Sequence, residues 1–383
     1  MELKKYLTGR TAMKGKKHIL LLMVFILTAM ILGGCGGKKE TEEVEYEANQ
    51  PVKVTEQQPE QQAEEQEPAE NHEGQAQSKI TGLWMDEEKA KLRPYAFMIN
   101  NLKVVNPQSG ISEASVMYEA LAEGGITRLL AVFEDFSAAR IGSIRSARHY
   151  FASFADEYDA IFVHYGETKY ATKKIAEIDI DNISGLEGAI EPVAFYRDKS
   201  IKEPHNVFAS YEGIVKATEK KGYRTERKEN WENHYTFYET DTELTDGQAA
   251  NKVELGFSSY TTPYFEYDKE AKVYGRYQFG GAHVDANTGE QLKFKNVIVQ
   301  LVKEWDIDKN DYQTMDIENS SGEGWYITNG KAVPITWKKN ESTDKMHYYG
   351  ADGEVLKVNA GKTFIAIFPN DRTDKVVFTG ETE

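Results

Sequence analysis

The chain has 383 residues, enough for two domains, and its 46 basic and 62 acidic side chains give a formal charge of -16. This acidic balance argues against a protein that binds the phosphates of nucleic acids. The single cysteine, Cys35, excludes an intramolecular disulfide and any metal site made of several cysteines.

The N-terminal segment has the pattern of a secretory signal. Lysines between residues 14 and 17 precede an apolar run over 19–32, and Gly33, Gly34 and Cys35 follow its last residue, Leu32. The run is shorter than the roughly 20 apolar residues of a membrane-spanning helix. The segment Leu32-Gly33-Gly34-Cys35 resembles a bacterial lipobox. This resemblance implies cleavage after Gly34 and attachment of diacylglyceryl and fatty-acyl groups such as palmitate to Cys35. An uncleaved membrane anchor is the alternative, and both place the remainder outside the membrane.

The segment after Cys35 differs in composition from the rest of the chain. Residues 38–79 hold 12 Glu, 8 Gln and 4 Lys, and they lack Leu, Ile, Phe and Trp. Such a stretch cannot bury enough apolar surface to offset the entropy of ordering. We therefore predict a signal peptide over 1–34, with translation starting at Met13, and a disordered acidic tether over 35–79. A partner-binding role for the Glu/Gln tract is the alternative.

Residues 80–224 alternate apolar runs with amphipathic stretches. Buried strands are predicted over 95–99, 127–133 and 160–164. Helices are predicted over 112–121, 146–158, 168–178 and 210–221. This alternation predicts an α/β domain with a largely parallel sheet and covering helices. No Gly-rich phosphate-binding motif follows any of these strands, so nucleotide binding by the usual loops is not supported and no cofactor is predicted.

After a polar junction over 225–245, residues 246–383 change to short strands and tight turns. Asn329-Gly330 separates two β-rich runs and indicates a two-residue hairpin, and Asp352-Gly353 repeats the signal. The most apolar strands are predicted over 297–302 and 363–368. This part is therefore predicted to be a mainly antiparallel β domain.

From residue 93 onward the chain resembles the YerB-like lipoproteins of Gram-positive bacteria. The segments that carry the resemblance are Arg93-Pro94, Asn100-Asn101, Pro107-Gln108-Ser109-Gly110, Glu119, Glu123-Gly124-Gly125-Ile126-Thr127-Arg128, Gly142, Arg145-Ser146-Ala147-Arg148, Pro204-His205-Asn206, Tyr274 with Arg276, Asn296-Val297-Ile298-Val299, Thr336-Trp337-Lys338 and Gly361-Lys362-Thr363. The resemblance implies a surface lipoprotein with an N-terminal α/β domain and a C-terminal β domain. It implies no particular reaction, but it does imply a link to peptidoglycan synthesis during sporulation.

Basic side chains cluster where a helix is predicted to begin. Arg145 and Arg148 are three residues apart and share a helical face, His149 follows them, and Arg128 begins a strand. Helix N-termini attract anions, and two guanidinium groups suit a carboxylate or phosphate. These residues therefore predict an anion-binding site. The alternative is structural salt bridges with acidic neighbours, of which the sequence offers Glu119, Glu123 and Glu134.

Further polar side chains follow predicted strand ends. His164 ends a strand, Asn100 and Asn101 end another, and His205 and Asn206 lie on a loop after a proline. Ligands of open α/β sheets bind beyond the carboxyl ends of the strands, and loops carry many functional side chains. We therefore expect these residues to face one crevice.

An enzymatic interpretation competes with the binding one. Glu119 or Glu123 could act with His164 as acid and base on a glycan, making the protein an envelope hydrolase or transferase. No Gly-x-Ser-x-Gly segment supports acyl transfer, and a metal set of Glu119, His164 and His205 lacks any recognised ligand spacing, so no metal is predicted.

The binding interpretation is preferred, and it predicts a lipid-anchored protein on the outer face of the cytoplasmic membrane. It would act as a binding or assembly factor of the cell envelope, with a wall polymer or wall-synthesis proteins as partners and no nucleic acid. Trp337 beside Lys338 and Lys339 is a second possible contact for an anionic polymer.

Overall fold

The computed structural model describes residues 71–341 and 344–380. The predicted signal segment, Cys35 and the tether as far as residue 70 lie outside the described residues. Within those ranges, no helix has the length and apolarity needed to cross a membrane.

The N-terminal part is rich in short strands. Its strands are β1 (Gln75–Gln77), β2 (Trp84–Asp86), β3 (Tyr95–Asn100), β4 (Val116–Leu121), β5 (Thr127–Phe133), β6 (Ile141–Gly142), β7 (Ile161–His164), β8 (Asn182–Ser184), β9 (Phe195–Arg197) and β10 (Val207–Ala209). Its helices are α1 (Glu87–Ala90), α2 (His149–Asp156), α3 (Lys169–Glu177), α4 (Glu191–Ala194) and α5 (Tyr211–Lys221). Short 3-10 helices lie at Lys103–Val105, Ile111–Glu113 and Glu123–Gly125.

The C-terminal part contains strands and one further 3-10 helix, Asn370–Lys375, among the described residues. The strands are β11 (Thr236–Phe237), β12 (Gln248–Ala249), β13 (Lys252–Leu255), β14 (Tyr264–Asp268), β15 (Val273–Gln278), β16 (Gly281–Ala282), β17 (Lys293–Phe294), β18 (Asn296–Val302), β19 (Glu304–Asp306), β20 (Gln313–Met315), β21 (Ser320–Thr328), β22 (Lys331–Lys339), β23 (His347–Tyr349), β24 (Lys357–Val358), β25 (Thr363–Pro369) and β26 (Val376–Thr379).

One large sheet contains strands from both parts of the chain. Its order is β12-β22-β21-β18-β25-β4-β5-β3-β7-β8, with β23 also paired to β22. The strand β25, near the C-terminus, lies between β18 and β4 and runs parallel to both. The N-terminal and C-terminal parts therefore share a continuous backbone hydrogen-bond network.

The prediction of a largely parallel sheet holds only in part. The strands β3, β7 and β8 are parallel, but β5 runs antiparallel to both of its neighbours, β3 and β4. Only five residues connect β4 to β5, and a connection of that length joins antiparallel strands, whereas a parallel pair needs a crossover of a dozen residues or more. The N-terminal sheet region is thus mixed. The C-terminal strands are mostly antiparallel, with the β18–β25 pair as an exception.

The helix predicted over 112–121 is wrong, since residues 116–121 form β4. All six side chains of this strand are buried, because the sheet is covered on both faces. A fully buried strand gives a continuous apolar run, and such a run also satisfies helical spacing. Ser112 belongs to a 3-10 helix, and its hydroxyl and backbone N–H donate to Asp285.

The other predicted helices lie close to their observed positions, because capping residues mark where two of them begin or end. The hydroxyl of Thr168 caps α3 and that of Ser210 caps α5, while Gly222 ends α5 in the left-handed conformation. The helix predicted to open at Ser146 begins instead at His149, with Arg148 as its N-cap residue. Arg145 consequently lies in the segment before α2 and does not share a helical face with Arg148.

The hydrophobic core lies on both faces of the large sheet. On one face, Phe151 and Phe154 of α2 and Ala171 of α3 pack against the strands. On the other face, α5 packs together with a smaller sheet of order β16-β15-β14-β13-β26, to which β17 also pairs. With both faces covered, polar side chains can reach a ligand mainly at the edges where strands end.

The boundary predicted for the tether needs correction at its C-terminal end. Residues 75–77 form β1, which pairs antiparallel with β2. The ring of Trp84 in β2 stacks on that of His72, and the hydroxyl of Ser78 donates to the buried carboxylate of Glu134. Residues 72–78 resemble the tether in composition, but their contacts with residues beyond position 80 hold them in the folded part.

The strand directions define one edge of the sheet, here named the carboxyl edge. The strands β18, β25, β4, β3, β7 and β8 all run in the same direction, so all of them end there. The antiparallel strand β5 begins at this edge. The carboxyl edge is the place where side chains following several strands can meet.

Candidate functional site

Three arginines and one glutamate meet at the carboxyl edge and are here named the arginine cluster: Glu123, Arg128, Arg145 and Arg148. The guanidinium of Arg148 holds both oxygens of Glu123, with 2.6 Å between Nη2 and Oε2. Arg128 Nη2 lies 3.8 Å from Glu123 Oε2, and its Nη1 donates to the carbonyl of Ser146 at 2.8 Å. Arg145 Nη1 donates to the carbonyl of Pro204 at 2.8 Å.

Local structure explains how these side chains come together. Glu123 lies in the short turn that connects β4 to β5, where Gly124 adopts a positive φ of 65°. Arg128 is the second residue of β5, directly opposite Asn100 of β3 and Ala120 of β4. Arg145 and Arg148 come from the segment that leads from β6 into α2, so the cluster depends on three separate stretches of chain.

The arginine cluster carries more positive than negative charge in a largely buried position. Burial and, after it, the nearby charge of Arg148 together lower the pKa of Arg128 to about 9. Arg128 Nε is buried and has no hydrogen-bond partner among the described residues. Burial raises the pKa of Glu123, but the hydrogen bonds and charge of Arg148 outweigh it and leave that pKa below its usual value. One carboxylate thus faces three guanidinium groups, an arrangement that an additional anion would stabilise.

The salt bridges that sequence analysis offered as an alternative are formed in part. Glu123 pairs with Arg148 as that alternative expects. Glu119 binds Arg276, and Glu134 binds Arg227, so neither of these carboxylates neutralises the arginine cluster.

Glu119 belongs to a buried network that joins the N-terminal and C-terminal parts. Its Oε1 accepts from Asn101 at 2.9 Å and from Thr127 at 2.6 Å, while its Oε2 accepts from Arg276 at 2.7 Å. Glu119 and Arg276 have no exposed side-chain surface. Arg276 also donates to His283 Nδ1, so these polar groups form a structural link between β4 and β15.

His164 is placed at the end of β7 as predicted, but its imidazole is fully buried. Nδ1 lies 3.0 Å from the carbonyl oxygen of Gly166, and Nε2 lies 3.3 Å from Asn182 Oδ1. Burial lowers its pKa, and the hydrogen bond to Gly166 and the charge of Glu167 oppose that shift. His164 is therefore hydrogen-bonded neither to Glu119 nor to any residue of the arginine cluster.

His149 and Asn206 lie apart from the arginine cluster. His149 Nε2 lies 2.8 Å from the Thr314 hydroxyl, and burial together with the charge of Lys174 lowers the pKa of His149 to about 4. Asn206 is buried and accepts a hydrogen bond from Arg197 at 2.9 Å. Both side chains stabilise contacts between neighbouring elements.

Asn100 and His205, by contrast, are brought together. Asn100 Nδ2 lies 3.0 Å from His205 Nδ1 and 3.2 Å from the Ser143 hydroxyl oxygen. His205 is partly exposed and lines a cavity of about 370 Å³. Glu119, His164 and His205 thus have separate sets of partners, and the described part of the chain contains no group of three or more His, Cys, Asp or Glu arranged for a metal ion.

The predicted aromatic and basic patch around Trp337 is not on the surface. Trp337 is 2% exposed, and its indole Nε1 donates to the carbonyl of Leu301 at 2.9 Å. Lys339 is fully buried and pairs with Glu157 at 2.6 Å. Only Lys338 points to solvent, because the alternation of β22 sends its neighbours into the core.

Sequence reasoning missed the contribution of Arg276 and His283 to the buried network. Arg276 donates to Glu119, which lies 157 residues earlier in the chain, and no spacing signal connects the two positions. The one available signal was the resemblance, which includes both Glu119 and Arg276 but assigns them no contact.

The comparisons with known proteins agree with this architecture. Residues 80–224 match the model described as "Protein of unknown function (DUF3048) N-terminal domain", and residues 253–365 match the corresponding C-terminal domain. The chain is 32% identical over 292 residues to "Putative lipoprotein YerB" of Bacillus subtilis (strain 168), over 76% of this chain and 86% of that protein. The chain belongs to the YerB family. The resemblance found in the sequence is confirmed.

A solved structure supports the same conclusion at the level of the fold. The crystal structure of the YerB protein from Bacillus subtilis matches with a TM-score of 0.71 and 30% identity. The match covers 80% of this chain and all of that one. The family description assigns no reaction, so function has to be argued from the geometry of this chain.

Proposed function

We propose that this protein is a lipoprotein held at the outer face of the cytoplasmic membrane through Cys35. Two independent observations support the proposal. The sequence ends its apolar segment with a lipobox, and the Bacillus subtilis relative bears the name of a lipoprotein. Two or more acyl chains would give firm attachment, since one chain alone binds membranes only marginally.

The folded part binds an anionic ligand or partner of the cell envelope through the arginine cluster. The observation that carries this proposal is the charge imbalance, with three guanidinium groups facing the single carboxylate of Glu123 at the carboxyl edge. A bound anion would add hydrogen bonds to groups that are already held in place, which limits the entropy lost on binding. The protein thereby serves as a binding or assembly factor, and the resemblance ties that role to peptidoglycan synthesis during sporulation.

The geometry favours binding over catalysis. Both oxygens of Glu119 are occupied by hydrogen bonds inside the core, and Glu123 is engaged by Arg148. A general acid or base must lie within hydrogen-bond reach of the substrate, and His164 has no exposed surface. The glycan-active alternative has no comparable supporting observation.

Titration calorimetry with purified acidic wall-polymer fragments and with peptidoglycan fragments tests the proposed site. Arg145→Gln removes one guanidinium whose only hydrogen bond within the described residues is to the Pro204 carbonyl. We expect it to weaken binding by about tenfold or more, as for a lost charge-assisted hydrogen bond. The matched control is Arg224→Gln, because Arg224 pairs with Asp159 ahead of β7, at the opposite edge of the sheet. Equal affinity of the Arg145→Gln variant and the native protein would remove the arginine cluster from the proposal.

The anchor is tested separately in living cells. Metabolic labelling with an alkyne fatty acid should mark the native protein, and Cys35→Ser should abolish both the label and membrane fractionation. An unlabelled native protein whose fractionation is unchanged by Cys35→Ser would rule out lipidation. Crosslinking in the same cells, with Arg145→Gln as comparison, identifies any partner that the arginine cluster holds.

A further inference from the structure

A cavity of about 370 Å³ lies beside the arginine cluster but is formed by other residues. Its lining combines polar residues, among them Ser109, Arg140, Ser143 and His205, with apolar ones such as Val105 and Ile201. Its volume lies in the range of small-molecule sites. None of the described residues that line it is Asp or Glu.

His205 presents a hydrogen-bond donor at this cavity. Asn100 Oδ1 accepts from the backbone N–H of Leu102, which orients the amide so that its Nδ2 faces His205. Nδ1 of His205 must therefore accept, and in the neutral imidazole the proton resides on Nε2. Burial lowers the pKa of His205, and the positive charges of Arg145 and Lys202 lower it further.

Two hydroxyl groups, like the His205 imidazole, are oriented by hydrogen bonds so that they can donate to a ligand. The Ser143 oxygen accepts from Asn100 Nδ2, and the Ser109 oxygen accepts from Arg140 Nε at 3.2 Å. Because each oxygen already accepts a hydrogen bond from the protein, each hydroxyl hydrogen is available to donate. Both residues line the cavity.

Arg140 supplies a rigidly placed charge. Its guanidinium lies 3.5 Å from the centre of the Phe208 ring, and its Nη2 donates to Asp198 at 2.8 Å. Nη1 has no hydrogen-bond partner among the described residues. The stacking and the ion pair fix the plane of the guanidinium before any ligand arrives.

We propose that this cavity binds a small organic anion, whose carboxylate or phosphate group accepts hydrogen bonds from Arg140, Ser109, Ser143 and His205. The compact remainder of the ligand packs against Val105, Ile201 and Phe208. Hydrogen-bond donors that converge on one cavity are the arrangement that oxyanions require, and the Asp198 carboxylate that pairs with Arg140 takes Nη2 rather than Nη1. This site goes beyond the proposed function, because none of the residues of the arginine cluster lines the cavity, and the site stands whether or not that cluster binds a polymer.

Titration calorimetry on the folded extracytoplasmic protein tests the site with four probes. Inorganic phosphate and glycerol 3-phosphate represent phosphates, while acetate and glucuronate represent carboxylates. We expect one of the two classes to bind, and Arg140→Gln to weaken it by about tenfold or more. Ser143→Ala, which removes a single neutral donor, should weaken it by about threefold to tenfold. Arg224→Gln is again the matched control and should bind like the native protein.

Proton NMR supplies a readout that a purely structural role would not change. A bound anion stabilises the imidazolium form, so the pKa of His205 should rise when the binding probe is added. The His205 resonance is identified by its loss in His205→Gln. If no probe binds, or if Arg140→Gln and Ser143→Ala bind as the native protein does, the site does not exist. Arg145→Gln tests the arginine cluster separately, so failure of one proposal leaves the other measurable.

Discussion

At the scale of single residues, the buried ion pair of Glu119 and Arg276 is the clearest feature of the polar interior. Both side chains are fully buried; Asn101 and Thr127 donate to Glu119, and Arg276 donates to His283 Nδ1. Such a pair adds little stability compared with apolar residues of the same size, but losing one partner leaves a buried charge uncompensated. The pair is therefore a sensitive test of how the two parts of the chain are joined.

We predict that Arg276→Met lowers the free energy of unfolding by about 3–5 kcal/mol, because it leaves the Glu119 carboxylate unpaired. Urea denaturation measures the change. Adding Glu119→Gln should recover part of the loss, since the neutral amide needs no counter-charge. The exposed pair of Lys216 and Glu212 serves as control, and Lys216→Met should change stability by less than about 0.5 kcal/mol. Equal effects of Arg276→Met and Lys216→Met would contradict a structural role for the buried pair.

The raised pKa of the Glu304 carboxyl group leads us to expect that the free energy of unfolding depends on pH. Burial raises its pKa to about 7, helped by Asp371 and Asp306 and opposed by Arg372, and Tyr150 of α2 lies nearby. Its Oε2 is buried without a hydrogen-bond partner in the part of the chain that the structure describes.

The folded state binds the Glu304 proton more tightly than the unfolded state, whose pKa stays near 4.5. Stability therefore falls as pH rises from about 4.5 to 7 and levels off above that range. We predict that Glu304→Gln removes this loss, making the variant more stable by about 2–3 kcal/mol at pH 8 and nearly equal to the native protein at pH 4. Urea denaturation across this pH range measures the difference, and the exposed Glu177→Gln should show none. A constant difference at all pH values would contradict the assignment.

At the scale of elements, predictability depended on whether an element had local signals at its ends. The helices α3 and α5 have capping residues and amphipathic faces, and the hairpin β21–β22 has Asn-Gly at its turn. The strand β4 has no such signal, because its direction and pairing depend on β25, which lies far along the chain. Burial on both faces removed the alternation that distinguishes a strand from a helix.

The turn of the β21–β22 hairpin gives a prediction for an element. Asn329 and Gly330 both have positive φ angles, 47° and 76°. A Cβ atom at Gly330 would also come within 3.1 Å of the Tyr267 ring. We predict that Gly330→Ala lowers the free energy of unfolding by about 1–2 kcal/mol, as expected for a left-handed conformation. Gly188→Ala, at a glycine with open space around it, is the control and should be nearly neutral when both are compared by thermal unfolding.

At the scale of the whole molecule, the arrangement of the candidate residues follows from the strand order more than from any motif. Arg128, Arg145 and Arg148 meet around Glu123 because their chain segments all reach the carboxyl edge. The general rule that ligands of α/β sheets bind beyond the ends of the strands points to this edge. The burial of His164 and Glu119 could not be foreseen, since it depends on how other elements cover the strand ends. The cavity beside His205 could not be foreseen either, because it depends on the contact between the segment near Asn100 and the loop near Pro204.

The strand order also predicts that the two parts of the chain fold together. The C-terminal strand β25 has every residue buried and forms hydrogen bonds to β4 along most of its length. Without β25, the strand β4 would become an edge with unpaired backbone groups and an uncovered apolar face. We therefore predict that a fragment ending at residue 245 fails to fold alone, so its amide protons exchange within seconds and it binds a dye for exposed apolar surface.

Co-expression provides the decisive comparison for that prediction. A second fragment over 246–383 should restore protection from exchange in β4 when it is co-expressed, because β25 can then take its place between β18 and β4. Ala366→Asp in the second fragment should prevent the rescue, since it places an unpaired charge at a fully buried position of β25. Lys293→Asp, at an exposed position of β17, should leave the rescue intact. A fragment over 71–245 that is stably folded by itself would show that the shared sheet is a contact between independent domains.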